Sequence, residues 1–352
     1  MTKFIGVLVV DDSAFMRKVI SDILQSAGDI KVLSTAKNGN EALEKVKEFN
    51  PDVITLDVEM PVMDGLSCLK ELQKITDAPV IMLSSLTKSG GKSTIDALEA
   101  GAIDFITKPQ GLFDITGDEK KQEIIDKIRM AKSVKKSKKS TIIAEEIRHK
   151  STPGNILKSS TLKTIVAIGT STGGPKALQE VIPFIPGDVP AAVLIVQHMP
   201  PGFTKSLAER LNSISDLTVK EAENGDIIQP GFAYIAPGDY HLTVKNEEGI
   251  LKTVLTKDPQ VGGHRPAVNV MMNSLSETGF SHIVGVIMTG MGSDGSEGIT
   301  NIKKRNNGII ISQDEKSCVV YGMPRAAVIT GAVDAVVPLK KIADEIIRNL
   351  GV

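Results

Sequence analysis

The stretch Val7–Asp12 reads VLVVDD, a short apolar run that ends in two aspartates. Three later stretches have the same form, an apolar run followed at once by a polar residue: Val53–Asp57 (VITLD), Val80–Ser84 (VIMLS) and Phe105–Lys108 (FITK). Short apolar runs of this kind are typical of strands buried on both faces of a parallel sheet. With Val32–Leu33 as a further strand and helical spacing between the runs, the sequence predicts a doubly wound five-stranded parallel sheet.

The polar residues that follow these strands are predicted to meet at the carboxyl edge of the sheet, where such folds bind ligands. They are Asp11, Asp12, Asp57, Ser84 and Lys108. Carboxylates crowded together repel one another, so the cluster favours a divalent cation. Oxygen ligands suit Mg²⁺, which we expect Asp11, Asp12 and Asp57 to bind with the backbone carbonyl of Glu59.

Asp57 is the best candidate for a phosphoryl acceptor, because it closes a strand and a carboxylate can act as the nucleophile. Lys108 is expected to neutralise one phosphoryl oxygen, and Ser84 to donate its hydroxyl to another. The alternative for any single residue is that a strand-end aspartate caps the following helix. The joint placement of the residues favours a phosphate-accepting switch.

These residues, together with DVEMPVMDG at 57–65 and the pair Lys108–Pro109, resemble the receiver domains of response regulators. The resemblance implies that a histidine kinase donates a phosphoryl group to Asp57. It also implies that the aromatic residue Phe105 shifts together with Ser84 when the domain is phosphorylated.

Length and composition limit the rest of the chain. A chain of 352 residues predicts about two domains. The net charge is −1 and there are only two cysteines, which favours a reducing, cytoplasmic location and gives no reason to expect nucleic acid as a partner. No apolar run is long enough to predict insertion into a membrane. The predicted organisation is a receiver at 1–130, a flexible lysine- and serine-rich linker at 131–160 with a brief helical turn at Ile142–Ile147, and a catalytic domain at 161–352.

A second series of strands and helices begins at Thr164 and predicts a larger α/β domain with a mainly parallel sheet. Glycines and prolines between Val219 and Thr256 indicate short strands, including Tyr234–Ile235 and Leu242–Val244. We expect these strands to form antiparallel hairpins at one edge of that sheet.

Ile165–Gly174 reads IVAIGTSTGG, a strand that runs into a turn with Ser171 at its apex. Gly169-x-Ser171-x-Gly173 fits the nucleophile-elbow pattern, in which backbone N–H groups of the turn can bind an oxyanion. A glycine-rich turn of this kind also suits a phosphate, so a nucleotide-binding effector controlled by the receiver is the alternative.

His198 and Asp294 also follow predicted parallel strands, so they are expected to lie near Ser171. A nucleophile, a base and an orienting carboxylate in one crevice form a catalytic triad. Each residue alone has a plainer interpretation, as an edge histidine or a turn aspartate. His241, His264 and His282 are weaker candidates for the base, because the first two lie in loops and the third precedes its strand.

Five segments of the second half resemble the catalytic domain of chemotaxis protein-glutamate methylesterases, the CheB family. They are GTSTGG at 169–174, QHMPPGFT at 197–204, YIAPGDYHL at 234–242, GMGSDG at 290–295 and QDEKSCVVYGMPRAA at 313–327. The resemblance implies a cytoplasmic hydrolase that cleaves glutamyl methyl esters and deamidates specific glutamines on methyl-accepting chemoreceptors, without a cofactor for the ester hydrolysis.

The same resemblance implies that Thr172 and Met291 support the oxyanion. We expect Asp258–Pro266 to be a flexible rim of the cleft, with Arg265 as a possible substrate contact. The unphosphorylated receiver is expected to cover the cleft, and phosphorylation to loosen that cover.

Overall fold

The structure, a computed structural model, describes residues 4–109, 117–134 and 161–350. The chain divides into two compact units, Met1–Ile142 and Ile143–Val352. Most of the predicted linker, including the predicted turn at Ile142–Ile147, lies outside the described residues.

Strands and helices alternate in the first unit, as the apolar runs predict. The described elements are β1 (Ile5–Val10), α1 (Ala14–Gln25), β2 (Ile30–Ala36), α2 (Gly39–Phe49), β3 (Val53–Asp57), α3 (Gly65–Ile75), β4 (Val80–Ser84), α4 (Lys88–Glu99), β5 (Asp104–Thr107) and α5 (Asp118–Ser133). The strand order is β2-β1-β3-β4-β5, with parallel pairing throughout. The predicted five-stranded parallel sheet is therefore confirmed.

Helix starts in the first unit are set by polar side chains. Ser13 accepts a hydrogen bond from the backbone N–H of Met16, and Asn38 and Asp64 cap α2 and α3 in the same way. Such caps satisfy backbone donors that have no partner within the helix. Asp11 and Asp12 therefore do not serve as the N-cap of α1.

The second unit is larger and holds a seven-stranded sheet. Its described elements are β6 (Thr164–Thr170), α6 (Gly174–Gln179), β7 (Ala191–Gln197), α7 (Phe203–Ile214), β8 (Thr218–Glu221), β9 (Phe232–Ile235), β10 (His241–Glu247), β11 (Ile250–Thr256), α8 (Val268–Ser276), β12 (Ile283–Ile287), α9 (Ser296–Asn306), β13 (Ile309–Gln313), α10 (Met323–Ile329), β14 (Ala335–Val337) and α11 (Ile342–Arg348). The strand order is β14-β13-β12-β6-β7-β9-β8, again with parallel pairs.

The predicted fold class is confirmed, but the pairing predicted for one strand is wrong. Among the strands of the described residues, β10 and β11 alone pair antiparallel, and they make a separate two-stranded sheet. Tyr234–Ile235 belongs to β9, which pairs in parallel with both β7 and β8. The glycines and prolines around it mark crossover loops instead of hairpin turns, a distinction that local composition does not make.

Strand β6 is the point where the strand order of the second sheet reverses. The chain passes from β6 outward through β7 to β9 and β8 on one side, and later fills the other side with β12, β13 and β14. Open α/β sheets bind ligands in the crevice at the carboxyl ends of the strands at such a reversal. Ser171 directly follows β6, so it lies at this crevice.

Candidate phosphoryl-acceptor and active sites

In the first unit, the predicted charged residues come together at the carboxyl edge. Lys108 Nζ lies 2.8 Å from Asp11 Oδ2 and 2.7 Å from Asp57 Oδ2, and both carboxylates are buried. Asp12 is exposed, yet one oxygen from each of Asp11, Asp12 and Asp57 lies within 4.8 Å of the others. Three carboxylate oxygens at this spacing suit a hard divalent cation.

The electrostatics of Asp57 favour a cation as well. Burial raises its pKa to about 6, with the charge of Asp11 adding to the effect while Lys108 opposes it. A single lysine therefore does not offset the cost of burying both charges. The backbone N–H of Glu59 donates to Asp57 Oδ1 at 3.3 Å, and the role of the Glu59 carbonyl as a ligand stays a prediction.

Ser84 and Phe105 each make contacts with a neighbouring helix. The Ser84 hydroxyl is buried and accepts a 2.7 Å hydrogen bond from Thr94 of α4. The Phe105 ring is also buried, and Lys127 Nζ lies 5.3 Å from its centroid while donating to the Phe105 carbonyl. The sequence did not indicate Thr94 or Lys127, because each acts from a helix face across a nonlocal contact.

In the second unit, Ser171 lies on a tightly held turn. Its backbone N–H donates to the Thr289 carbonyl at 3.0 Å, and its own carbonyl accepts from Gln197 Nε2 at 2.9 Å. Gly173 takes the left-handed conformation, with φ of +76°, which favours glycine. The turn is thus fixed from both neighbouring strands, by Thr289 after β12 and Gln197 at the end of β7.

His198 and Asp294 are directly bonded. His198 Nε2 lies 2.8 Å from Asp294 Oδ2, and both side chains are more than nine-tenths buried. Thr170 and Gln197 are register partners in β6 and β7, so Ser171 and His198 follow adjacent positions of adjacent strands. The structure therefore brings the three predicted triad residues to the same sheet edge.

Asp294 is also anchored by the start of α8. Its two oxygens accept from the backbone N–H groups of Val268, at 2.6 Å, and Asn269, at 2.9 Å. Burial raises the pKa of Asp294, but the hydrogen bond and charge of His198 and the two backbone donors outweigh it and leave the pKa below its usual value. Asp294 is therefore a carboxylate, which accepts only, and His198 Nε2 must carry the proton of their shared bond.

The tautomer leaves the other ring nitrogen, Nδ1, as the basic atom of His198. This nitrogen is buried and has no hydrogen-bond partner among the described residues. A buried basic nitrogen without a partner is costly in a merely structural histidine. It is the atom expected to accept a proton from a neighbouring hydroxyl.

Asn269 makes the anchoring reciprocal. Its Oδ1 accepts from the backbone N–H groups of Gly295, at 3.0 Å, and Gly298, at 2.9 Å, at the start of α9. Asp294, on the loop before α9, thus holds the start of α8, and Asn269 of α8 holds the start of α9. Sequence reasoning missed the role of Asn269, because its partners lie in a separate segment and no periodic pattern indicates such a contact.

The predicted supporting residues Thr172 and Met291 differ in setting. Thr172 is buried, and its carbonyl accepts from Thr289 Oγ1 at 2.9 Å. Met291 follows the same strand as Thr289 and has an exposed side chain. The support of an oxyanion by these residues stays a prediction.

The predicted flexible rim is a tightly bonded loop. Val261 and His264 exchange two backbone hydrogen bonds of 3.1 Å around Gly262 and Gly263, which both have positive φ. Arg265 donates to Asp239 and to the carbonyls of Lys257 and Asp258, so its fork is occupied within the protein. The rim is thus held by hydrogen bonds in this structure, while its flexibility and a substrate contact by Arg265 stay predictions.

The loop brings one weaker histidine candidate to the site and leaves the others away from it. The ring of His264 stacks on that of His198, with centroids 3.8 Å apart and planes 14° from parallel. His241 Nε2 bonds to the Pro259 carbonyl at 3.1 Å, so it holds the loop. His282 precedes β12 at the opposite edge of the sheet, where its carbonyl accepts from Ile165.

The two sheets and their edges define a class of protein. It is a receiver-type domain with clustered carboxylates and a lysine at its sheet edge, joined to an α/β domain whose crevice holds a serine, a histidine and a carboxylate. None of the helices in the described ranges is long and apolar enough to cross a membrane.

Comparison with known proteins gives the family. The CheB methylesterase family matches residues 166–346, and the response regulator receiver domain matches residues 7–117. The chain is 49% identical to the protein-glutamate methylesterase/protein-glutamine glutaminase of Halalkalibacterium halodurans over 352 residues, covering 99% of each. It is 47% identical to the Pyrococcus horikoshii protein of the same name, covering 99% of this chain and 94% of that one.

A solved structure agrees with this assignment. The crystal structure of the Thermotoga maritima CheB methylesterase catalytic domain is 46% identical, with a TM-score of 0.51, and covers 53% of this chain and 97% of that domain. This chain belongs to the CheB family of protein-glutamate methylesterase/protein-glutamine glutaminases, with a receiver domain in front. The resemblance predicted from the sequence is confirmed.

Proposed function

We propose that this chain hydrolyses glutamyl methyl esters, and deamidates specific glutamines, on the cytoplasmic helices of chemoreceptors. The observation that carries the proposal is the His198–Asp294 pair beside Ser171 at the point where the strand order reverses. The names of the relatives support glutamyl esters and glutamine amides as the groups attacked. Both reactions transfer an acyl group to water, so one site serves both.

The chemistry follows from the tautomer of His198. Ser171 Oγ attacks the carbonyl carbon of the side chain while His198 Nδ1 takes the hydroxyl proton. The imidazolium then gives that proton to the leaving group, which departs as methanol or ammonia. Water repeats the sequence on the acyl-serine and releases glutamate. Asp294 keeps the proton on Nε2 and stabilises the imidazolium.

The oxyanion formed at each step is assigned to backbone N–H groups of the Ser171 turn and of Met291, with Thr172 fixing the turn. Donors aimed at developing charge usually contribute the largest single share of such a rate enhancement. The side chain of Met291 is exposed at this edge, where a glutamyl side chain displayed on a helix is expected to enter.

We assign regulation to the receiver. Asp57 accepts a phosphoryl group from the chemotaxis histidine kinase, and Asp11, Asp12 and Asp57 are the residues that would hold Mg²⁺. The bound ion would neutralise the clustered carboxylates and the incoming phosphoryl oxygens. The unphosphorylated receiver restrains the catalytic domain, and phosphorylation relieves the restraint. Each tenfold rise in the active population requires about 1.4 kcal/mol of differential stabilisation.

Methanol release from methylated chemoreceptor membranes tests the proposal. We expect a basal rate that rises with a small-molecule phosphodonor in the presence of Mg²⁺. In Asp57→Asn the basal rate should persist and the stimulation should vanish. Absence of methanol release from the unaltered protein under both conditions refutes the proposed activity, while equal stimulation of the variant refutes only the role of Asp57.

The alternative of a nucleotide-binding effector is not favoured by the site. The glycine-rich turn leads into α6, which is a helix of only six residues. The strand beside it ends in Gln197 and His198, where a dinucleotide site needs an acidic residue.

A further inference from the structure

We propose that His264 is a positioning residue for the catalytic imidazole: its ring lies flat against His198 and fixes the plane in which Nδ1 faces Ser171. This inference rests on the proposed function, since it assigns a role within the same hydrolytic site. The observation that carries it is the ring stack of 3.8 Å between centroids and 14° between planes.

The bond to Asp294 alone does not fix the His198 ring. That bond holds Nε2, and the side chain is tied to the backbone at the other end, so the ring can still rock about the line between them. Rocking moves Nδ1, the atom that must meet the Ser171 hydroxyl. A parallel ring in van der Waals contact with one face restricts this motion, and it also offers an aromatic face to the imidazolium formed during attack.

The His264 backbone is rigid enough for this task. Val261 and His264 close a two-residue turn, with φ of +61° at Gly262 and +81° at Gly263. Positive φ at both central residues defines the tight turn that glycine pairs favour. His264 therefore projects from a fixed point.

The base of the loop is fixed by an ion pair. Arg265 Nε donates to Asp239 Oδ1 at 3.1 Å, and the backbone N–H of Asp239 donates to the Arg265 carbonyl at 3.1 Å. Asp239 has φ of +65°, a conformation uncommon outside glycine. His241, at the start of β10, adds a bond to the Pro259 carbonyl. Arg265 thus acts on the reaction through His264.

The test measures kcat and KM for methyl-ester hydrolysis by the full-length protein. His264→Leu removes the flat ring at similar volume, so kcat should fall about 10- to 100-fold with KM changed less than about twofold, as expected for a misplaced catalytic group. His264→Phe restores a flat ring and should recover most of kcat. His282→Leu, the same change at the far edge of the sheet, should leave both constants unchanged.

The NMR shifts of the His198 imidazole distinguish a positioning role of His264 from a purely structural one. In the unaltered protein, the stacked ring should shift the His198 ring carbon protons upfield. This shift should disappear in His264→Leu and persist in His264→Phe. An upfield shift of the His198 protons that persists in His264→Leu, or an unchanged kcat, overturns the proposal.

A double-mutant cycle separates positioning from other roles of Arg265. Arg265→Ala should lower kcat, and the loss should be much smaller when His264 is already leucine, because both changes remove the same constraint. Additive losses, or a rise in KM alone, would assign Arg265 to the substrate and overturn its part in the proposal. Ser171→Ala, tested alongside, shows whether a failure lies in the nucleophile assignment instead.

Discussion

Replacing Asp294 by asparagine tests the most specific feature of the catalytic site, the tautomer of His198. Asp294 accepts three hydrogen bonds, from His198 Nε2 and from the backbone N–H groups of Val268 and Asn269. An asparagine has one acceptor oxygen and one donor amide. Oδ2 accepts from both His198 Nε2 and Val268, so an asparagine whose oxygen keeps the Asn269 bond places its amide against Nε2, which moves the ring proton to Nδ1 and blocks general-base catalysis.

The magnitude follows from that tautomer. The corresponding change in a serine protease lowers kcat about 10⁴-fold, equivalent to about 5 kcal/mol of transition-state stabilisation. A loss of that order is expected here, because Asp294 is the one group bonded to Nε2 among the residues that the structure describes. Two charge-assisted bonds at the start of α8 are also weakened, so the free energy of unfolding should fall by roughly 1–3 kcal/mol.

The pH dependence has a definite sign. The pKa of Asp294 is lower in the folded protein than its usual value, so its contribution to stability is present above the unfolded pKa. That contribution is lost as pH falls through the lower folded value. The stability difference between the unaltered protein and Asp294→Asn should therefore be constant near neutral pH and shrink in acid.

The assay uses methanol release for activity and tyrosine fluorescence for stability. All three tyrosines, Tyr234, Tyr240 and Tyr321, lie in the second unit and the chain has no tryptophan, so urea unfolding of that unit is seen separately. Asp334→Asn is the matched control, because Asp334 also holds a backbone N–H, that of Ile310, at the opposite edge of the sheet. A variant Asp294→Asn with turnover within tenfold of the unaltered protein would refute the tautomer argument.

Three further outcomes are expected. Ser171→Ala should lose several decades of methanol release while its urea midpoint by tyrosine fluorescence is unchanged; retention of a tenth of the rate would exclude Ser171 as the nucleophile. The pKa of Asp57 is about 6 in the folded protein and 3.8 as its usual value, so the free energy of unfolding of the receiver should fall by up to about 3 kcal/mol as pH rises from 4 to 6. Asp57→Asn lacks this titration and should gain stability relative to the unaltered protein over that interval. Calorimetry in the presence of a chelator measures the difference, and parallel pH curves for the two proteins would contradict it. A chain beginning at Thr161 should hydrolyse esters faster than the unphosphorylated full-length protein, and a slower rate would make the receiver an activator.

The sequence predicted what depends on strand order. A residue that follows a buried parallel strand must lie at the carboxyl edge, so Asp57, Lys108, Ser171 and His198 could be placed from apolar periodicity alone. The contacts between separate segments could not be placed this way. Asn269 of α8 bonds to the start of α9, and Arg265 holds the His264 loop; periodicity places each element but does not indicate which side chains meet across elements.

Local composition does not distinguish two roles of glycine, which can make a segment flexible or close a tight turn. Gly262 and Gly263 were expected to make the rim of the cleft flexible, since glycine frees the unfolded backbone. In the folded chain their positive φ values close a tight turn, across which Val261 and His264 exchange two backbone hydrogen bonds. Only the pairing partners, Val261 and His264, distinguish the two cases, and pairing is a property of the fold.

The two sites use a buried strand-end carboxylate in opposite ways. Burial raises the pKa of Asp57, and the like charge of Asp11 adds to this effect. The hydrogen-bond donors around Asp294 instead hold its pKa below the usual value. Asp57 is thus a poorly stabilised charge that gains most from a bound cation or a covalent modification, which suits a group that must change state. Asp294 is a fully satisfied charge that has nothing to gain from either, which suits a group that must hold His198 in one tautomer through every turnover. The difference lies in the number of backbone hydrogen-bond donors that each carboxylate meets, one from Glu59 at Asp57 and two from Val268 and Asn269 at Asp294.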